Sequence, residues 1–285
     1  GAALGTGLLI STVVATILVF LYGRPFYNAS PHPWPYAFFQ SADALQPNHT
    51  FFVVGDWGRQ GNQNQTNVAS LMGQVADLEQ PSFVISTGDN FYEHGLSSYD
   101  DPLFKESFTD VYNASGLQVP WHPDVNLASK DPRWICKQGV WRQSFGTTLD
   151  IVFIDTMPLL VGRTLAKYTT GGLGYRTSAI MRDTMEELLE SSRAQFKIVV
   201  GHMPLRSFGE HGNYRETANE CARLSFIEPI LIKHKVDAYF AGHDHNLQLI
   251  RTDQIIIPSG RGGRGFEPVG RHYCVRTKNV PSRDA

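Results

Sequence analysis

A layered α/β domain is the fold class that this sequence predicts, and three observations predict it. Short apolar runs of strand length alternate with stretches of helical spacing from residue 50 onward. Four of those runs end in a glycine followed directly by an aspartate or a histidine. The chain has 285 residues, 42% of them hydrophobic, enough for one sizeable core without a second domain.

Taken in order, Phe51 to Val54 reads as a buried strand, and Val68, Leu71, Met72, Val75 and Leu78 recur at helical spacing. Phe83 to Ser86 is the next strand. The strand Leu149 to Ile154, a helix around Ile180 to Leu189 and the strand Phe196 to Val200 come after it. A helix around Leu224 to His234 then leads to the strands Val236 to Phe240 and Leu247 to Ile250. Residues 24–49 contain Pro25, Pro31, Pro33, Pro35 and Pro47 without periodicity, as a linker does. The domain is therefore expected over 50–258, with an irregular Gly- and Arg-rich tail over 259–285.

The first 23 residues carry no charge, and the apolar run from Ala2 to Tyr22 is long enough to span a bilayer. It leads straight into Tyr22, Gly23 and Arg24 without a small-x-small cleavage site, so it reads as a signal anchor in preference to a cleaved signal peptide. Sequons at Asn28, Asn48, Asn64 and Asn113 lie downstream of it. Together they predict a glycosylated domain of the secretory pathway, lumenal or extracellular, anchored to the membrane or secreted. Of the three cysteines, Cys136 and Cys221 are the expected pair and Cys274 the leftover thiol. A net charge of −2, 18% charged residues and no long Lys or Arg run exclude the electrostatic footprint of a nucleic-acid binder.

The chemistry lies just past the strand ends, in Gly55-Asp56-Trp57-Gly58, Gly88-Asp89-Asn90-Phe91-Tyr92, Gly201-His202 and Gly242-His243-Asp244-His245. In α/β sheets, ligands bind beyond the carboxyl ends of the strands, and a preceding glycine lets the backbone turn sharply and approach closely. Two aspartates and three histidines supply oxygen and imidazole donors suited to Fe, Zn or Mn. A lone Gly-Asp is more often a turn or helix cap, and a lone His-x-His more often a surface feature. Four independent turns ending in the same donor chemistry outweigh those readings.

These motifs resemble the calcineurin-like metallophosphoesterases, and within them the small purple acid phosphatases that include tartrate-resistant acid phosphatase. GDNFY, with Tyr92 three residues after Asp89, is similar to the motif whose tyrosinate binds a ferric ion; GDWG, GEHG at Gly209 to Gly212 and AGHDHNLQ at Ala241 to Gln248 point the same way. The resemblance covers roughly Phe51 to Ile257. It implies a central β-sandwich flanked by helices, with a dinuclear metal site at the strand ends. Asp56, Asp89, Tyr92 and His245 would hold Fe(III), and Asp89 would bridge. His202 and His243 would belong to a second site for Fe(II), Zn or Mn, and His211 would stand near the substrate. The implied reaction is hydrolysis of small phosphate monoesters at acidic pH; an inactive glycoprotein of the same fold and a metallophosphodiesterase are the alternatives.

One departure matters. The family carries a Gly-Asn-His-Asp segment between the second and third motifs, its Asn a ligand of the second metal and its His a substrate contact. Here the chain runs Val119-Pro-Trp-His122 directly into Pro123-Asp-Val-Asn126. His122 and Asn126 are tempting substitutes without the matching context. A complete first site and a weakened second one are expected.

Overall fold

In a computed structural model, residues 50–123, 130–137, 139–165, 173–209, 211, 224–252 and 255–259 are described. Two sheets face each other. The first has three parallel strands in the order β1 (Phe51–Val54), β2 (Phe83–Ser86), β3 (Trp121–His122). The second has six, in the order β4 (Trp141–Phe145), β5 (Leu149–Phe153), β6 (Phe196–Val200), β7 (Ala238–Phe240), β9 (Ile256–Ser259), β8 (Gln248–Arg251). Its centre is parallel, while β4 and β8 run antiparallel to their neighbours at the two edges. The helices are α1 (Gln65–Glu79), α2 (Thr156–Leu165), α3 (Leu173–Glu190) and α4 (Ile227–Lys233).

Side chains alternate between two faces along a strand, so one apolar run can serve two cores. Phe51 and Val53 meet Phe83, Ile85, Ile151, Phe153, Ile198, Val200 and Phe240 between the sheets. Phe52, Val54 and Val84 turn outward to α1, through Ala69, Met72 and Ala76, and to a cluster of Trp57, Phe108, Tyr112, Trp121 and Trp134. On the far side, Val152, Val199 and Tyr239 pack against α2, α3 and α4 through Leu159, Leu160, Met181, Met185, Leu189, Ile227 and Leu231. The result is a β-sandwich flanked by helices, as the resemblance implies. The expected strand positions hold within a residue or two, while β3, β4, β9 and α2 are additions that the sequence pattern does not announce.

β3 pairs with β2 only through Val84 with Trp121 and Ile85 with His122, so the pairing stops before Ser86 and Thr87. That short strand sits where the Gly-Asn-His-Asp segment is lacking. Asn126 lies outside the described residues. His122 does not reach the strand-end crevice: its ring lies between the sheets, 5.5 Å from Phe83 and 5.9 Å from Phe153, and it is buried with Nδ1 lacking a hydrogen-bond partner.

This burial has a consequence for acid stability. Desolvation lowers the His122 pKa from 6.5 to about 4 in the folded chain. Between those values the unfolded chain binds the extra proton, so stability falls as pH drops from 6.5 toward 4. The loss between pH 7 and pH 5 is expected to be about 2 kcal/mol. His122→Leu keeps the apolar packing and should flatten that part of the profile, which urea denaturation of both chains at the two pH values will measure.

Asn64 and Asn113 are exposed, as glycan acceptors must be, and Asn28 and Asn48 lie outside the described residues. Cys136 is buried, whereas Cys221 and Cys274 also lie outside them. No helix among the described residues is long and apolar enough to cross a membrane, and residues 1–49 are not among them.

Candidate metal centre

The strand ends of both sheets meet at one edge of the sandwich, and the candidate ligands emerge there. Asp56 follows β1, Asp89 follows β2, His202 follows β6, and His243 and His245 follow β7. Backbone bonds fasten the turns to one another: Asp56 N–H to Gly88 O at 2.9 Å, and Gly242 N–H to His202 O at 2.9 Å. The left-handed conformation falls on the ligand candidates themselves, with φ of 57° at Asp56, 47° at Asp89 and 67° at His243. Strain of about 1 kcal/mol or more at each such residue persists where the surrounding structure imposes it, and functional sites are where it gathers.

Tyr92 organises one half of the site. Its hydroxyl donates to Asp89 Oδ2 at 2.7 Å and lies 3.2 Å from Asp56 Oδ1 and 3.3 Å from His245 Nε2. Asp56 is fully buried, and His245 Nε2 faces its Oδ1 at 3.4 Å. The backbone N–H of His243 crosses from the second sheet to donate to Asp56 Oδ1 at 2.9 Å. Burial, reinforced by the Asp56 and Asp89 charges, pushes the Tyr92 phenol far above the ordinary tyrosine range. Asp56 and Asp89 bring two like charges to one phenol, a repulsion that a bound cation would offset. Asp56, Asp89 and His245 offer donor atoms all within 4.8 Å of one another, a set that suits a hard or borderline metal ion.

The other half is built on Asp89 and the histidines. His202 Nε2 lies 3.4 Å from Asp89 Oδ1, and its Nδ1 faces the Thr87 carbonyl at 3.0 Å. A donor bond from Nδ1 to a backbone carbonyl fixes the tautomer that presents Nε2 to a metal. The His202 and His243 rings are 5.3 Å apart, and the exposed His211 ring lies 4.4 Å from that of His243. The seven residues singled out by the sequence are thus brought to one edge.

Supporting contacts went unread in the sequence. The Arg59 guanidinium lies 3.6 Å over the Tyr92 ring and pairs with Glu93 at 2.8 Å. Trp57 Nε1–H donates to Ser86 Oγ at 2.9 Å, and Ser86 in turn bonds Asn90. Buried Asp244 bonds Ser207, tying the loop after β6 to the turn after β7. Asn90 and Asp244 stand inside the GDNFY and AGHDHNLQ motifs, which was their signal; Arg59 and Ser207 had none.

The glycines explain the spacing. A Cβ on Gly242 would lie 2.5 Å from Asp56 Oδ2, and one on Gly88, at φ 108°, would lie 2.6 Å from His202 Nδ1. Gly242→Ala is expected to displace Asp56 and weaken retention of the first ion by roughly 10- to 100-fold. Metal content after dialysis against graded chelator checks this.

A strand-end site of aspartates, histidines and a tyrosine on a β-sandwich defines a metal-dependent phosphoesterase, and comparison with known proteins agrees. Residues 49–247 match the calcineurin-like phosphoesterase family. The chain belongs to that family and, within it, to the purple acid phosphatases; it is a metal-dependent phosphatase. It is 36% identical over 241 residues to purple acid phosphatase 4 of Arabidopsis thaliana, covering 76% of this chain and 69% of that protein. With tartrate-resistant acid phosphatase type 5 of Homo sapiens it shares 26% over 259 residues, covering 81% and 78%. Among solved structures, a dimetal phosphatase from Danio rerio matches with a TM-score of 0.52 at 13% identity, over 76% of this chain and 88% of that one. The Plasmodium protein GAP50, described as an anchor in the inner membrane complex, matches with a TM-score of 0.56 at 21% identity, over 76% and 74%. These two show the fold.

Proposed function

We propose that this chain is an acid phosphatase for small phosphate monoesters, acting in a lumenal or extracellular compartment with Fe(III) in one site and Fe(II), Zn or Mn in the other. The observation that carries this is the Tyr92 hydroxyl set among Asp56, Asp89 and His245, because a tyrosine ligand suits a ferric ion. Asp56, Asp89, Tyr92 and His245 would hold the first ion; Asp89, His202 and His243 would hold the second. Lewis acidity toward phosphate oxygens and activation of water as nucleophile are what such a centre supplies when bound.

The chain's own groups account for the rest. Buried Asp56, fixed by the His243 N–H, anchors one side, and Asp89, 41% exposed at the mouth, lies between the two halves. Exposed sequons at Asn64 and Asn113 support the lumenal placement. The test is hydrolysis of p-nitrophenyl phosphate against bis(p-nitrophenyl) phosphate across pH 4 to 9. Monoester turnover with an acid optimum is expected. A preference for the diester, or a maximum only above pH 8, would reject the reading.

A further inference from the structure

The loop after β1 carries a buried cation beside the candidate iron ligands. Arg59 is 8% exposed, and its guanidinium lies 3.6 Å from the centre of the Tyr92 ring, over its face. Nη1 pairs with Glu93 at 2.8 Å, and that carboxylate stands mostly in solvent. Nε is buried without a hydrogen-bond partner among the described residues. A buried cation short of hydrogen bonds is costly. Stacking on a neutral phenol offsets part of the cost, and a phenol whose oxygen carries negative charge offsets more of it.

Two loops hold the stack in register. The Tyr92 N–H donates to Gly58 O at 2.8 Å, and a Cβ on Gly58 would lie 1.7 Å from Asn90 O, so the loops touch backbone to backbone. The Arg59 N–H donates to Gln65 Oε1 at 3.0 Å. Gln65, fully buried in the first turn of α1, donates onward to Ser107 O at 2.7 Å. The guanidinium is thus fixed through its own backbone, through α1 and through the residue that follows Tyr92. At the other end of the ring, the hydroxyl faces Asp56, Asp89 and His245.

We infer that Arg59 is a positioning residue for the first ion: it holds the Tyr92 ring in place and stabilises negative charge on that ring, so that Tyr92 gives less charge to the iron. This rests on the reading of Tyr92 as an iron ligand. Weaker donation leaves the ion a stronger Lewis acid toward phosphate oxygens and water, as hydrolysis at acidic pH requires.

The experiment titrates the full wild-type chain, Arg59→Gln and Arg59→Lys with ferric iron and records metal per chain and visible absorption. Charge transfer from tyrosinate to iron carries negative charge away from Arg59, so the cation raises the energy of that transition. Arg59→Gln is expected to bind one iron with its band moved to longer wavelength by roughly 10 nm or more. Arg59→Lys keeps the charge without the stacked plane, and its band should stand nearer that of the wild type. Glu93→Gln, an exposed change, removes the counter-charge of the guanidinium and should move the band the other way; it decides the matter if Arg59→Gln fails to fold or to hold iron. The inference is overturned if Arg59→Gln absorbs at the wild-type wavelength, if Arg59→Gln and Arg59→Lys shift equally, or if Glu93→Gln leaves the band unmoved. A wild-type chain that takes up no iron, or takes it up without a band, overturns the reading of Tyr92 as a ligand instead.

Discussion

Replacing Asp89 by alanine is expected to reduce phosphatase turnover by about 10³-fold or more, because this carboxylate touches both halves of the site. Its Oδ2 accepts from Tyr92 at 2.7 Å and its Oδ1 faces His202 at 3.4 Å, so in the proposed two-ion centre its removal would take a donor from each ion at once. The fold has little stake in it, since the side chain is 41% exposed. Without metal, Asp89 is a like-charge neighbour of Asp56 through the shared Tyr92 hydroxyl. The ion-free variant should therefore melt no lower than the ion-free wild type. Turnover, metal content and melting of both chains separate loss of the site from loss of the fold.

Trp57→Ala is expected to destabilise the protein by about 4 kcal/mol, the range for emptying a large aromatic site in a packed core. Trp57 has no exposed surface, and its ring lies 5.3 Å from Tyr112, 5.6 Å from Phe91 and 5.8 Å from Phe108. Deleting it also removes the donor to Ser86, leaving a buried hydroxyl less well satisfied. Because Trp57 directly follows Asp56, the cavity opens beneath a proposed metal ligand, so metal retention should fall together with stability. Trp57→Phe keeps most of the volume and should cost about half as much. Urea denaturation with an unchanged slope checks the magnitude.

The central strands and the site were legible because their signals are local. Phe51 to Val54 is a continuous apolar run and Phe196 to Val200 is apolar but for Lys197, and each candidate ligand follows its strand within two or three residues, so chain order alone gathers Asp56, Asp89, His202 and His243 at one edge. Elements whose burial depends on distant partners were not legible. β3 is two residues long, too short for any period to show. β4, Trp-Arg-Gln-Ser-Phe, is an edge strand, largely polar and only partly buried. β9 contains Pro258, which reads as a breaker in the sequence. α2 contains Pro158, tolerated because it falls in the first turn, where the amide has no helical acceptor. The cation over Tyr92 was equally hidden, since nothing in Gly58-Arg59-Gln60 says which way that side chain turns.

The most direct test of the centre is the visible absorption of the full chain titrated with ferric iron, beside Tyr92→Phe treated identically. Tyrosine ligation predicts a charge-transfer band that grows to one iron per chain and is missing from the variant. No band in the wild type, or the same band in Tyr92→Phe, would contradict the assignment of Asp56, Asp89, Tyr92 and His245 as the iron site.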